Sequence, residues 1–368
     1  MKKKVFFVLG NLRAGGSERV YWIISRYFNK TDYDVSLIVL DTTNAFFSTE
    51  MDGVRVIDLK TIKASRSFFK LYRLIKNEKP YAVFTTGHVK TLVALISLFT
   101  KIPVVLGRES NLLDKMVALS GPKEKFWDKF VSLTYKKLNI GICQSQEIKR
   151  SMQNRYNIPE EKLVVIPNPV LPTPLLRQEH KSDNKRLIFV GRLAVEKGVF
   201  RLLEIFSRLP QGYSLTLVGD GPLKQDVQKK IKQLHLEQRI NLTGNVKEVV
   251  HLIAQHDLLV LTSFTEGFPN VVLEALSVGV PVVSFNVSGL SAMVKNTING
   301  YIVEQDDFPG FRSKIVIACN RSWDSQAIKE DILARFGVTK IVQQYESLLS
   351  PSKTFAGNSK PFVELIAD

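Results

Sequence analysis

The stretch Pro167-Asn168-Pro169-Val170-Leu171-Pro172-Thr173-Pro174 interrupts an otherwise regular chain. Four prolines in eight residues exclude a helix or a central strand, because each lacks a backbone N–H and holds a fixed φ. A polar run continues to Lys185. The spacing predicts an interdomain linker over 168–184, with domains at 1–167 and 185–350 and a polar, turn-rich tail at 351–368. A length of 368 residues agrees, since single hydrophobic cores rarely serve a chain of that size.

On the N-terminal side of this break, short apolar runs read as strands at Val5–Leu9, Val35–Leu40, Val54–Ile57, Ala82–Thr85, Val104–Leu106, Ile140–Cys143 and Val164–Ile166. Between them helical periodicity marks Ser17–Phe28, Ser67–Asn77, Thr91–Phe99, Phe126–Leu138 and Glu147–Arg155. On the C-terminal side strands are predicted at Leu187–Val190, Ser214–Val218, Ile240–Leu242, Leu258–Leu261 and Val280–Ser284. Helices are predicted at Gly198–Leu209, Leu223–Leu234, Lys247–Gln255 and Asn270–Ser277. Such alternation implies α/β halves, each a doubly wound parallel sheet with right-handed crossovers. The longest apolar run, Leu92–Phe99, falls far short of the roughly 20 residues that span a bilayer, and reads as a buried helix. Val5–Leu9 runs into Gly10-Asn11 with no small-residue cleavage site, so it reads as a first strand rather than a secretion signal. Cys143 and Cys319 lie far apart without metal-ligand spacing and fit a reducing cytoplasm.

The charge is uneven. Of a formal net +16, residues 1–170 carry 28 basic and 15 acidic side chains, or +13, and the remainder carries only +3. A basic N-terminal half suits phosphate-rich partners, namely an anionic membrane surface, a lipid diphosphate or nucleic acid, although a solvated, solubilising face accounts for the same charge. Aromatics are not interleaved with a basic stripe and no reader motif is present, which argues against nucleic acid.

Ligands of open parallel sheets bind where strands give way to helix N-termini. Four such loops carry residues that patterning does not require. After the first strand, Gly15-Gly16-Ser17-Glu18-Arg19 lets backbone N–H groups approach an anion, as an ordinary strand–helix turn also would. Gly191-Arg192-Leu193 with Glu196-Lys197-Gly198 places two cations at a strand end, suited to a diphosphate. Gly219-Asp220-Gly221-Pro222 is a glycine turn that admits a nucleotide, though many α/β proteins have one without a ligand. The fourth, Glu266-Gly267-Phe268-Pro269-Asn270-Val271-Val272-Leu273-Glu274, puts Pro269 where a helix begins and Glu274 one turn inside it. There Glu274 would accept two hydrogen bonds from a ribose diol and Glu266 would meet sugar hydroxyls. A helix-dipole role for both acids is the plainer alternative.

Taken in this order, the four motifs resemble those of the retaining GT-B glycosyltransferases of family 4, also called group 1, over roughly residues 1–350. The resemblance implies two Rossmann-like domains around an interdomain cleft, and transfer from a nucleotide-sugar, most commonly a UDP-sugar, with retained anomeric configuration. No cofactor or metal is implied; the nucleotide-sugar is a substrate. Arg192 and Lys197 would bind the donor diphosphate and stabilise the leaving group, doing the work of a divalent cation. Glu274 would hold the ribose, Glu266 and the backbone of Gly267, Phe268, Pro269, Asn270 and Val271 the sugar, and Gly219 and Gly221 the nucleotide. Asn245 and Val246 would contact the base, and Gly15 and Gly16 the phosphates. His88, which ends a predicted strand, would contact the donor sugar, a position where a surface histidine is the competing reading. Arg108-Glu109-Ser110 is a candidate acceptor loop. The basic, amphipathic Phe126–Leu138 either lies on an anionic membrane or covers the sheet. The expectation is a cytoplasmic enzyme, peripheral at the inner membrane face, extending a glycan acceptor, lipid-linked, in bacterial surface polysaccharide synthesis. A non-catalytic nucleotide-sugar-binding subunit or a GT-B epimerase are the alternatives.

Overall fold

The computed structural model describes residues 2–13, 15–61, 64–110, 134–135, 137–178 and 184–350. The first half runs β1 (Lys3–Asn11), α1 (Gly16–Tyr27), β2 (Tyr33–Asp41), β3 (Val54–Asp58), α2 (Ala64–Glu78), β4 (Ala82–Thr86), α3 (Val89–Ile96), β5 (Val104–Glu109), β6 (Ile140–Cys143), α4 (Gln146–Tyr156) and β7 (Leu163–Val165). The second runs β8 (Lys185–Val190), α5 (Val199–Ser207), β9 (Tyr213–Val218), α6 (Lys224–Gln233), β10 (Ile240–Gly244), α7 (Val249–Ala254), β11 (Leu258–Leu261), α8 (Asn270–Leu276), β12 (Val282–Phe285) and β13 (Gly300–Val303). Three helices follow β13 among the described residues, α9 (Phe308–Cys319), α10 (Ser325–Phe336) and α11 (Val338–Ser347).

Two parallel sheets result, ordered β3-β2-β1-β4-β5-β6-β7 and β10-β9-β8-β11-β12-β13. Continuous apolar runs make this possible. Val5–Leu9 is buried residue by residue, which is what a central parallel strand with helices on both faces requires. In each sheet the order reverses once, between β1 and β4 and between β8 and β11. Such switch points open a crevice at the carboxyl ends of the strands.

The chain divides into two compact units, residues 1–169 with the C-terminal stretch from Val338, and residues 170–337. The predicted C-terminal domain of 185–350 is therefore corrected at its end, since α11 belongs to the N-terminal unit. There Tyr345 packs against Tyr21 and Phe84, with ring centroids 6.4 and 5.7 Å away. A stripe of Val338, Ile341, Val342 and Tyr345 shows that a helix must be covered but not which sheet covers it. Much of the predicted linker is also bound. Val170 bridges Gly337, and the N–H groups of Arg177 and Gln178 donate to Val278 and Ala254 within the C-terminal unit. The strand β13 and the helices α9 to α11 have no counterpart among the predicted elements.

The expected buried helix over Leu92–Phe99 is corrected as well. α3 ends at Ile96, and only part of its apolar run is covered. Cys143 is buried and Cys319 half-buried, and burial pushes each thiol up to about 12, as for inert packing residues. Among the described residues, no helix is long and apolar enough to cross a membrane. Most of Phe126–Leu138 lies outside the described residues.

Candidate functional site

In the C-terminal unit the switch point lies between β8 and β11, and the loops that leave these strands are fastened to each other. Val195–Lys197 forms one 3-10 turn, and Gly198 then takes φ 64° to open α5. A Cβ at 198 would collide with the Thr262 carbonyl oxygen, so only glycine fits both the backbone angle and the space. Thr262 Oγ1 in turn donates to the Gly198 carbonyl at 3.1 Å. This close approach of the two loops sets Lys197 opposite Glu266, Nζ to Oε1, at 2.6 Å. Ser263 Oγ donates to the same carboxylate oxygen, also at 2.6 Å. Lys197 keeps 25% of its side chain exposed and Glu266 12%, so water reaches the pair. Arg192 pairs with Glu196 one turn on and is 65% exposed.

Arg201, four residues after Lys197 on α5, is a part of this framework that sequence reasoning passes over. Its buried guanidinium lies between the rings of Phe264 and Phe285, 3.9 and 4.3 Å from their centroids. Nε donates to the Thr262 carbonyl at 2.6 Å and Nη1 to Gln305 Oε1 at 2.9 Å. Gln305 Nε2 continues to the Ser263 and Asn286 carbonyls. One cation thus braces the loops after β11, β12 and β13. Burial lowers its pKa to about 10, which still leaves it charged at neutral pH. The i,i+4 spacing from Lys197 was the available signal, yet a basic residue on an amphipathic helix reads as solvated.

The remaining residues expected on the donor side divide. Gly219, at φ 134°, packs against Gly191, whose carbonyl oxygen occupies the place of a Cβ. Its glycine is therefore explained by the joining of two turns: Gly191 N donates to Val218 O and Leu193 N to Asp220 O, both at 3.0 Å. Gly221 N donates to Asp220 Oδ1 at 2.7 Å. Gly219 N also donates to Gly244 O at the exit of β10, beyond which Asn245 is exposed and Val246 half-buried. In the Glu266–Glu274 segment Gly267, Phe268 and Pro269 are buried, with the Phe268 ring 6.0 Å from that of Phe336. Pro269 caps α8 immediately before Asn270, where the predicted helix over Asn270–Ser277 begins. Asn270 and Val271 form the helix start, and Glu274 lies in its buried set.

In the N-terminal unit the other switch point brings Gly10, at the end of β1, against the exposed His88, which precedes α3. A Cβ on Gly10 would stand 3.3 Å from His88 Cε1. Gly15 caps α1 and Gly16 is its first residue. Arg108 and Glu109 are strand residues with buried side chains, so of the expected acceptor loop only Ser110 lies outside β5. Arg108 donates to Asn168 Oδ1. Glu109 pairs with Lys90 and accepts from Tyr135 OH at 2.6 Å and Ser110 N at 3.0 Å. Burial alone would raise the Glu109 pKa; Lys90, Tyr135 and Ser110 outweigh it and hold the carboxyl below its usual range.

Family comparison agrees with this fold. The model described as glycosyl transferases group 1 matches residues 175–317, and that of glycosyltransferase family 4 matches residues 14–173. The chain is 29% identical, over 75% of each sequence, to the UDP-Gal:alpha-D-GlcNAc-diphosphoundecaprenol alpha-1,3-galactosyltransferase of Escherichia coli. It is 25% identical, over 86% of its own length and 89% of the relative's, to a GalNAc-alpha-(1->4)-GalNAc-alpha-(1->3)-diNAcBac-PP-undecaprenol alpha-1,4-N-acetyl-D-galactosaminyltransferase of Campylobacter jejuni. Among solved structures, Anabaena HepE in complex with UDP and glucose superposes with a TM-score of 0.76 at 19% identity, covering 95% of this chain and all of that one. With two parallel-sheet α/β units and both family models matched in tandem, the chain belongs to the GT-B glycosyltransferases of group 1, family 4.

Proposed function

We propose that the enzyme transfers a sugar from a UDP-sugar to a lipid-linked glycan acceptor at the inner face of the cell membrane, with retention of anomeric configuration and without a metal. The observation that carries this reading is the Lys197–Glu266 pair at the C-terminal switch point. A diphosphate reaching the loops after β8 would draw Lys197 to its oxygens, with Arg192 beside it. The two cations would neutralise charge that grows on the leaving nucleoside diphosphate as the glycosidic bond breaks. Freed from Lys197 but still held by Ser263, Glu266 would accept from sugar hydroxyls as the ring gains oxocarbenium character. Glu274 would take the ribose diol. The diphosphoundecaprenol acceptors in the names of the two relatives support the lipid-linked class.

The test is transfer itself. Purified enzyme with labelled UDP-hexoses and a polyprenyl-diphosphate sugar should give an extended acceptor whose new linkage, by nuclear magnetic resonance, keeps the donor's anomeric configuration. Inverted product would remove the retaining assignment. Isomerised donor with no acceptor product would replace transfer by epimerisation.

A further inference from the structure

Leu92–Phe99 is the longest apolar run in the chain, yet the structure leaves much of it in solvent. Leu95, Leu98 and Phe99 are 47%, 54% and 66% exposed. On the neighbouring α2, Phe69 is 64% exposed. These side chains are gathered rather than scattered. The Phe68 ring lies 5.5 Å from that of Phe69 and 6.1 Å from that of Phe99, linking α2 to the turn that follows α3. Gathered apolar exposure of this kind marks an interaction site in a soluble protein.

The charges around it indicate the partner. Arg66, Phe69, Arg73 and Lys76 recur at i, i+3, i+7 and i+10 and all are exposed, so a single face of α2 alternates cations with an aromatic ring. Lys70, Lys79 and Lys101 add further exposed basic side chains in or beside α2 and α3. The one acidic side chain on α2, Glu78, is held by Lys4 at 2.5 Å and Arg55 at 3.2 Å. An apolar ridge edged by cations that pair with no acidic side chain among the described residues matches a bilayer with anionic headgroups, where rings enter the acyl boundary and cations meet phosphates. Two copies facing each other through this surface would bring like charges together, which opposes self-association.

We propose that the exposed ridge of Phe69, Leu95, Leu98 and Phe99, with Arg66, Arg73 and Lys76, docks the protein on an anionic lipid bilayer. The inference rests on the membrane-borne acceptor of the proposed function only for its setting, and it is tested without donor or acceptor. Full-length protein is sedimented with vesicles of phosphatidylglycerol and phosphatidylethanolamine, and separately with phosphatidylcholine. Binding should be confined largely to the anionic vesicles and weaken with salt. Phe69→Glu with Phe99→Glu should lower partitioning at least about tenfold, since two rings are withdrawn from the acyl boundary and two negative charges face anionic lipid. Arg66→Ser with Arg73→Ser should weaken it and flatten the salt dependence. All four sites are exposed, so melting temperatures should stay near that of the parent, and transfer to a short-chain soluble acceptor should persist. Equal binding to neutral vesicles, or unchanged binding by the phenylalanine variant while the arginine variant also binds fully, would overturn the proposal. So would a parent dimer in solution that Phe69→Glu dissociates, because the ridge would then be an interface between copies. Failure of sugar transfer alongside intact vesicle binding would count against the proposed reaction and leave the docking surface standing.

Discussion

At the ends of β1 and β4 the N-terminal unit brings Gly10 and His88 together, whereas at the ends of β8 and β11 the C-terminal unit brings Lys197 and Glu266 together. The strand order around these two points is the same. Their charges are handled differently. On β5, next to the first switch point, Arg108 and Glu109 are buried and bonded to Asn168, Lys90, Tyr135 and Ser110. Beside the second, Lys197 and Arg192 keep water contact and pair with the partly exposed carboxylates of Glu266 and Glu196. A strand-end charge whose partners are all internal belongs to the fold; one that remains wet with a single exchangeable partner is available to chemistry.

This contrast can be broken by substitution, beginning where the effect is largest. Glu109→Gln removes one member of a buried pair and leaves the Lys90 cation without its counter-charge. A loss of roughly 3–5 kcal/mol is expected in chemical denaturation. A loss below about 1 kcal/mol, the range of a surface pair, would erase the distinction between the two units. Lys197→Ala should do the reverse. The turnover number is expected to fall by about 10²–10³, the usual cost of one transition-state donor. Stability should move by no more than about 1 kcal/mol, because the pair is partly solvated. If stability fell and turnover did not, Lys197 would be structural.

Smaller effects sharpen the comparison. Gly198→Ala forces a side chain into a left-handed backbone and against Thr262, so a loss of about 1–3 kcal/mol is expected. Unchanged melting would show that the loops after β8 and β11 are not clamped there. The mildest effect is on pH dependence. The Glu109 carboxyl is held below its unfolded pKa, so its contribution is complete above the usual carboxylate range and is lost as pH falls through its folded value. Denaturation midpoints measured from neutral into acid should drop less steeply in Glu109→Gln than in the parent. Parallel curves would contradict a folded-state pKa held below the unfolded one.

Much of the architecture was legible because parallel strands buried on both faces appear as uninterrupted apolar runs, as Val5–Leu9 and Leu258–Leu261 do. The proline break also marked the division between units to within a few residues. What periodicity leaves open is where an element goes. The amphipathic α11 fits either sheet, and Tyr345, which secures it beside Tyr21 and Phe84, has no sequence neighbour that announces the contact. The run Leu92–Phe99 reads as core because apolar content carries no information about cover. In the candidate site, the motif spacing singled out Lys197 and Glu266, which the structure pairs, and the family resemblance implies roles for them. Arg108 and Glu109 looked like a loop because their charge disguised the last residues of a strand. Arg201 was hidden because its partners, Phe264, Thr262 and Gln305, come from loops far along the chain.

The most direct test of the donor site is thermal denaturation with UDP, GDP and ADP in turn, on the parent and on Glu274→Ala. A nucleotide present at about 100 times its dissociation constant should add roughly 2.7 kcal/mol, a rise of several degrees. The account predicts that UDP raises the parent's midpoint and that Glu274→Ala loses the rise. An equal rise in Glu274→Ala, or no rise in the parent with any of the three, would contradict the donor site proposed for the C-terminal unit.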